Sequence, residues 1–152
     1  MAYEVQVKEV PPHLALTVRK RVSMATISEG LDEAFGAIMA SAKTSGARFV
    51  GPPFALYPAE VTAEFEAVIC MPIAPGATAS EGVTLEEIPG GAVATTLHKG
   101  AYSGLGAAYG AVQAWIVANG KKPVGPCREV YLNEPGHVPD DELLTEIDWP
   151  FV

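Results

Sequence analysis

The spacing of hydrophobic and polar residues divides the first half of the chain into five segments. Residues 3–10 (YEVQVKEV) and 13–22 (HLALTVRKRV) alternate between apolar and polar, which is typical of half-buried strands. In residues 26–46 the apolar positions recur every three or four residues, which predicts an amphipathic helix. Residues 54–58 and 65–73 return to strand character. The predicted order is therefore strand, strand, helix, strand, strand.

The predicted helix carries signals at both of its ends. Thr26 and Glu29 have the spacing of a capping box, and Gly46 is placed to end the helix as a C-terminal cap. Its apolar stripe is predicted at Ile27, Leu31, Phe35, Ile38 and Ala42.

The second half of the chain repeats residues of the first half in the same order. GLGAAYGA at 104–111 is identical to GLDEAFGA at 30–37 in five of eight positions, with Tyr109 in place of Phe35, at an offset of 74. The same offset carries GPPFALY at 51–57 onto GPCREVY at 125–131, and nearer the ends the offset widens to 78. Several matches in one order indicate a duplicated unit.

The second unit is predicted to contain the same elements as the first. Strands are predicted over 83–88, 92–98, 128–132 and 143–151, with a helix over 103–119. The stripe of this helix is predicted at Leu105, Tyr109, Val112 and Ile116.

This order of elements predicts an α+β fold with antiparallel sheets and one helix in each unit. The units are 1–73 and 83–152, and the turn-prone segment 74–82 connects them. Units of this length bury little core alone, so we expect one domain over 1–152 with a shared core. We expect each helix to cover one sheet face, and the opposite faces of the two units to meet around a pseudo-twofold axis, with a cleft between the halves.

Composition and charge narrow the classes of partner. The 152 residues are 49% hydrophobic and 18% charged, which predicts a folded core. Ten basic residues against 18 acidic ones give a net charge of -8. Such a surface repels phosphate, so we expect no direct binding of nucleic acid, and it attracts cations at long range.

Four further features of the sequence predict a cytoplasmic protein without metal or cofactor. Cys70 and Cys127 are expected to be buried free thiols. The N-terminus lacks the basic start and apolar run of a signal peptide, and the longest uncharged helical stretch, 105–118, is too short to cross a membrane. The three histidines show no metal-binding spacing.

Glu129 is the first candidate for chemistry. It shares a strand face with Tyr131, and the neighbouring Val130 and Leu132 on the other face are apolar. The repeat places Ala55 at the matching position of the first unit and Tyr57 opposite Tyr131, so the fold itself does not require a carboxylate there. Glu129 is either a solvated side chain on an exposed strand or the floor of a pocket walled by the two tyrosines.

Four further residues are candidates for the walls of that pocket. Tyr102 lies where a strand turns into the second helix, and Phe65 and Ile27 would take comparable rim positions in the first unit. Trp149 lies in the last strand. Packing within the core is the alternative for each of them, and for Trp149 the alternative is to hold the chain end against the core.

Three motifs resemble a known family: HKGAYSGLGAAYGAVQAWI (98–116), REVYLNEP (128–135) and LLTEIDWPF (143–151). They are similar to the GyrI-like small-molecule-binding domains, which also occur as effector-binding domains of AraC-type and MerR-type multidrug regulators. The resemblance implies a duplicated α+β fold with a ligand pocket between the halves, and an acidic pocket residue at Glu129. No helix-turn-helix segment is expected before the domain, so the chain resembles the stand-alone members.

The residues and the resemblance together leave three functions open. The first is binding of amphiphilic, aromatic and cationic small molecules, with Glu129 as the counter-charge. The second is hydrolysis of electrophilic cyclopropanoid or epoxide-like toxins, in which Glu129 activates water and Tyr131 or Tyr102 donates a hydrogen bond. The third, implied by the resemblance alone, is a protein-interaction role such as modulation of DNA gyrase.

Overall fold

The alternating segments form strands and the two segments of helical period form helices in the computed structural model, which describes residues 3–152. Short 3-10 turns lie at Tyr102–Gly104 and Asp140–Glu142. The bounds in chain order are β1 Gln6–Val10, β2 His13–Val22, α1 Ile27–Ser45, β3 Phe54–Tyr57, β4 Phe65–Pro72, β5 Thr84–Ile88, β6 Gly91–Lys99, α2 Leu105–Ala118, β7 Cys127–Tyr131 and β8 Leu144–Pro150. The α+β prediction is confirmed.

The strands form one curled antiparallel sheet rather than two that face each other. Its order is β1-β6-β8-β7-β3-β4-β2-β5, so the halves of the chain join edge to edge where β3 pairs with β7. The expectation that the two units meet through opposite faces is therefore wrong. Local hydrophobic spacing assigns a strand its inward face, but it does not say which strand lies beside it.

The first strand of each half pairs within the other half. β1 pairs with β6, and β5 pairs with β2. The order of elements and of strand pairs is therefore the same on both sides of the central β3–β7 pair. This is the arrangement that a duplicated unit would give, and the duplication itself stays a prediction.

Both helices pack on the same face of the sheet. Tyr57 belongs to the core cluster under α1, and Cys127 belongs to the cluster under α2. These two residues pair across β3 and β7, and paired residues share a face. α1 covers β2 and β4, while α2 covers β6 and β8. The central strands β3 and β7 therefore lie between the two helices.

The buried side of α1 is rotated from the predicted stripe. Its buried residues are Gly30, Ala34, Ile38, Ser41 and Ala42, whereas three residues of the predicted stripe, Ile27, Leu31 and Phe35, are only half-buried. Hydrophobic spacing alone missed this rotation, because the small residues that allow a close approach to the sheet carry little hydrophobic signal.

One predicted helix end is confirmed and the other is wrong. Gly46 ends α1 in the left-handed conformation with φ 68°, and its N–H donates to the carbonyl of Ala42. Thr26 precedes α1, but its hydroxyl accepts a hydrogen bond from the N–H of Ser23 at 2.9 Å and makes no cap bond to the helix. The capping box with Glu29 does not form, because the hydroxyl closes the preceding turn instead.

Two further features concern the cysteines and the character of the helices. Cys70 and Cys127 are buried and free, as predicted. Across residues 3–152, neither helix has the length and apolar character needed to span a membrane.

Two glycines of α1 give a matched test of this packing. A Cβ on Gly30 would lie 2.6 Å from Cγ1 of Val22, a stiff and buried side chain on β2, whereas a Cβ on Gly36 meets nothing within 4 Å. We expect Gly30→Ala to lower the free energy of unfolding by about 1–3 kcal/mol through overpacking. Gly36→Ala should raise it by about 1 kcal/mol through helix propensity. Urea unfolding of both variants measures the difference, and equal stability would contradict the close α1–β2 contact.

Candidate functional site

Glu129 lies at the centre of the sheet, on the face that carries the helices. It pairs with Ala55 where β3 and β7 join the two halves. Ala55 is fully buried in the cluster under α1, and its small side chain leaves the carboxylate room beside it. Ala55, the residue that the predicted repeat aligns with Glu129, thus lies directly opposite it in the sheet.

Three tyrosine hydroxyls form one hydrogen-bonded chain with the carboxylate. Tyr109 donates to Oε2 of Glu129 at 2.5 Å, and Tyr131 donates to Oε1 at 3.0 Å. The hydroxyls of Tyr57 and Tyr131 are 3.0 Å apart, so Tyr57 can donate to the oxygen of Tyr131. Each carboxylate oxygen thus has a phenol donor, and these come from α2 and β7.

Burial is the largest influence on the pKa values of Glu129 and the three tyrosines. Burial raises the pKa of Glu129, and the hydrogen bonds from Tyr109 and Tyr131 offset part of that increase. Burial also raises the pKa of Tyr57, Tyr109 and Tyr131, and the negative charge of Glu129 raises each of them further. The three phenols therefore stay protonated at neutral pH and act as donors.

The charge of Glu129 has no cationic partner among residues 3–152. No lysine, arginine or histidine of this part of the chain forms an ion pair with its carboxylate. Burial raises the pKa of Glu129 more than the hydrogen bonds from Tyr109 and Tyr131 lower it, and in this part of the chain no ion pair adds to their effect.

Aromatic rings surround the hydrogen-bonded chain. The ring of Tyr102 lies edge-on to that of Tyr131, with centroids 5.9 Å apart, and Tyr102 is 37% exposed. The rings of Tyr57 and Phe65 pack in the same way at 6.2 Å. Glu129, Tyr131, Tyr57, Tyr102 and Phe65, all predicted as site residues, therefore form one continuous group.

The other two predicted residues lie at the margins of this group. Ile27 is half-buried at the start of α1 and packs against the cluster that contains Tyr57 and Phe65. Trp149 is buried in the cluster under α2, and its ring lies 5.9 Å from that of Tyr109. Within residues 3–152 its indole N–H has no hydrogen-bond partner.

Tyr109 is the residue that sequence reasoning assigned to packing alone. The spacing of α2 placed it in the apolar stripe, but Ala108 is buried instead and Tyr109 is half-buried. Its repeat partner Phe35 lacks only the hydroxyl, and that hydroxyl makes the contact with Glu129. The sequence signal for Tyr109 is its difference from Phe35 in the predicted repeat, just as Glu129 differs from Ala55.

A bound metal ion requires a cluster of side chains that can hold it. The part of the chain that the structure describes contains no group of three or more histidine, cysteine or acidic side chains placed to hold a metal ion. The groups that the structure places over β3 and β7 are one carboxylate, phenol hydroxyls and aromatic rings.

Comparisons with known proteins agree on the fold. Residues 3–152 match the model of the GyrI-like small molecule binding domain. The crystal structure of the EcmrR C-terminal domain is similar with a TM-score of 0.85 at 22% identity, over 100% of this chain and 99% of that one. In the cryo-EM structure of the EcmrR–DNA complex the TM-score is again 0.85, at 24% identity, and the match covers 99% of this chain but 58% of EcmrR. This chain thus spans less than two thirds of that relative.

Two further solved structures extend the comparison. A hydrolase from Listeria innocua has a TM-score of 0.78 at 13% identity, over 99% of this chain and 93% of that one. SAV2435 bound to tetraphenylphosphonium has a TM-score of 0.67 at 13% identity, over 100% and 94%. No curated protein sequence matches the chain. At these identities the structures establish the fold, and the predicted resemblance to GyrI-like domains is confirmed.

Removal of one hydroxyl tests the hydrogen bonds to Glu129. The phenol of Tyr109 stabilises the ionised carboxylate, so Tyr109→Phe should raise the pKa of Glu129 further. Titration of glutamate side-chain carboxyl carbons by NMR measures this change. Tyr3→Phe is the control, because the Tyr3 hydroxyl bonds to His98 Nδ1 at 2.7 Å and not to Glu129. An unchanged Glu129 titration in Tyr109→Phe would contradict the contact.

Proposed function

Because the chain belongs to the family of GyrI-like small-molecule binding domains, we propose that it binds amphiphilic aromatic cations over β3 and β7, with Glu129 as their counter-charge. The observation that carries this proposal is the carboxylate between the two helices, which has no ion-pair partner among residues 3–152. Its two oxygens are held by Tyr109 and Tyr131, so its position is fixed before a ligand arrives.

A bound cation would compensate the cost of burying this charge. Moving an ionised carboxylate out of water is unfavourable unless an opposite charge or strong donors accompany it. The raised pKa of Glu129 shows that the phenols compensate only in part. A ligand cation would supply the missing charge, and the free energy gained would favour cations over neutral molecules of the same shape.

The aromatic rings add a second preference. A cation near the face of a tyrosine ring is attracted by the ring electrons, and an apolar aromatic ligand gains by covering exposed ring surface. Tyr102 offers such surface, because it is 37% exposed at the edge of the group. The net charge of -8 would also concentrate cations around the protein.

Replacement of Glu129 by glutamine keeps its shape and removes its charge. We use tetraphenylphosphonium as the probe, since SAV2435, which shares the fold, was solved with that cation bound. Glu129→Gln should weaken its binding at least tenfold, or by about 1.4 kcal/mol or more, in calorimetric titration. Glu87→Gln, at an exposed residue on the edge strand β5, removes the same charge from the whole protein and should have no effect.

Two further readouts separate the charge from the shape of the site. Neutral triphenylphosphine oxide should bind the parent and Glu129→Gln alike. Affinity for the cation should be full above the raised pKa of Glu129 and should fall as the pH drops through it, because protonation removes the counter-charge. Equal binding of the cation by parent and Glu129→Gln at neutral pH would overturn the proposal.

Hydrolysis of electrophiles is the second candidate, and the raised pKa of Glu129 favours it. A carboxylate whose pKa is raised by burial is a stronger base than an exposed one and can take a proton from water. The hydroxyls of Tyr109 and Tyr131 already donate to Glu129, so Tyr102 is the phenol we would assign as donor to a leaving group.

Turnover of small electrophiles decides between binding alone and catalysis. If Glu129 activates water, incubation with cyclopropanoid or epoxide compounds should give hydrolysed products that carry the mass of one added water. Glu129→Gln should abolish turnover, and Tyr102→Phe should lower it. Mass spectrometry measures the products, and no product above background across the panel would exclude hydrolysis of these compounds.

A further inference from the structure

The sheet face away from the helices carries two adjoining cavities, of about 220 and 230 Å³. Val10, Arg128 and Asp148 line both of them, so the cavities meet at these side chains. Arg128 precedes Glu129 in β7 and projects to the opposite face, because side chains alternate along a strand. The sheet therefore separates these cavities from the carboxylate of Glu129.

Arg128 is held in a fixed orientation at this junction. The carbon at the centre of its guanidinium group lies 4.1 Å from the ring centre of Phe54, in cation–π contact. Its Nη1 lies 3.2 Å from Nε2 of His13, which must accept because arginine has only donors. Burial, followed by the charge of Arg128, lowers the pKa of His13, so the imidazole stays neutral and able to accept.

The charge of Arg128 is unpaired in residues 3–152. Asp148 is its neighbour across β7 and β8, but no carboxylate in this part of the chain forms an ion pair with the guanidinium group. The Asp148 carboxylate instead accepts from Thr95 at 2.7 Å and lies 3.9 Å from Nζ of Lys8. Arg128 is half-buried, and burial lowers its pKa more than the nearby charge of Asp148 raises it, so the cost of its burial is compensated only in part.

The rest of the first cavity is mostly apolar. Besides Arg128 and Asp148, its walls include Val10, Leu56, Ile88, Val93, Pro126 and Pro150. An anion that enters beside Arg128 can therefore bury an attached apolar group against these residues.

We propose that this junction is a second ligand site, in which Arg128 binds a small organic monoanion, a carboxylate with a compact aromatic or aliphatic body. The planar guanidinium group matches a carboxylate with two parallel N–H donors, and only one of its nitrogens is occupied by His13. The ligand charge is opposite to that proposed for the site at Glu129, and the two sites share no side chain.

Asp148 gives this site a characteristic dependence on pH. It is 2% exposed, and burial raises its pKa to about 7, with Glu146 beside it adding to the increase and Thr95 opposing it. The charged and titratable groups around it are Lys8 on β1, His13 on β2, Arg128 on β7 and Glu146 on β8. Protonation of Asp148 removes a negative charge next to the bound anion, so the affinity should rise as the pH falls from about 8 to about 6.

Binding of benzoate, with neutral benzamide as its counterpart, tests the proposal. Amide chemical shifts of the full chain report binding, and benzoate but not benzamide should move those of β7, β8 and β1. Arg128→Gln should weaken the binding of benzoate at least tenfold. Val10→Phe should do the same, because the larger side chain would fill space where the two cavities meet. Asp148→Asn should bind benzoate more tightly at about pH 8 and lose the dependence on pH.

The two sites can be separated in one set of measurements. Glu129→Gln should keep benzoate binding, and Arg128→Gln should keep tetraphenylphosphonium binding, so failure of one site does not imply failure of the other. If Arg128→Gln does not fold, Val10→Phe on the edge strand β1 remains as the test. The proposal is overturned if benzoate up to about 10 mM moves none of these amides, or if the folded variants bind it as tightly as the parent.

Discussion

The pairing of β3 with β7 is the constraint on which the rest of the structure depends. It involves four residues of β3, and it is where the two halves of the sheet become continuous. Because α1 and α2 cover the strands to either side, the joined strands remain between the helices and carry the candidate site. The pair of Ala55 and Glu129 lies within this junction, so the small side chain in one half makes room for the carboxylate of the other. Any change that separates β3 from β7 would remove both the continuity of the sheet and the site.

The candidate site is also where the two halves of the sequence differ in chemistry. Glu129 stands where the first half has Ala55, and Tyr109 stands where it has Phe35. These two residues form one hydrogen bond of 2.5 Å with each other, although Glu129 lies on a strand and Tyr109 on a helix. Tyr57 and Tyr131, which are the same in both halves, meet each other through their hydroxyls. A symmetric scaffold with two equivalent carboxylates would place like charges side by side, which is unfavourable. Ala55 opposite Glu129 avoids that cost and leaves a single charged group.

The sequence predicted the order of elements, and most strand bounds to within one residue, because those follow from local hydrophobic spacing. The strand predicted over 13–22 is β2 without change. Spacing did not predict that β1 and β5 pair outside their own halves, since such pairing depends on residues that are far apart in the chain. It identified the group around Glu129 through the repeat, but it assigned Tyr109 to packing. Arg128 gave no signal, because an arginine at an alternate strand position is normally solvated, and only the structure shows it half-buried beside Phe54.

The adjacency of Arg128 and Glu129 has a consequence for how such a domain could change its ligands. The two residues are consecutive in β7, and their side chains project to opposite sides of the sheet. A shift of β7 by one residue against β3 would exchange the faces of all its side chains, placing the guanidinium group between the helices and the carboxylate behind them. Loss or gain of a single residue in the loop before β7 could produce that shift. One deletion could therefore reverse the sign of the charge between the helices without the substitution of any residue.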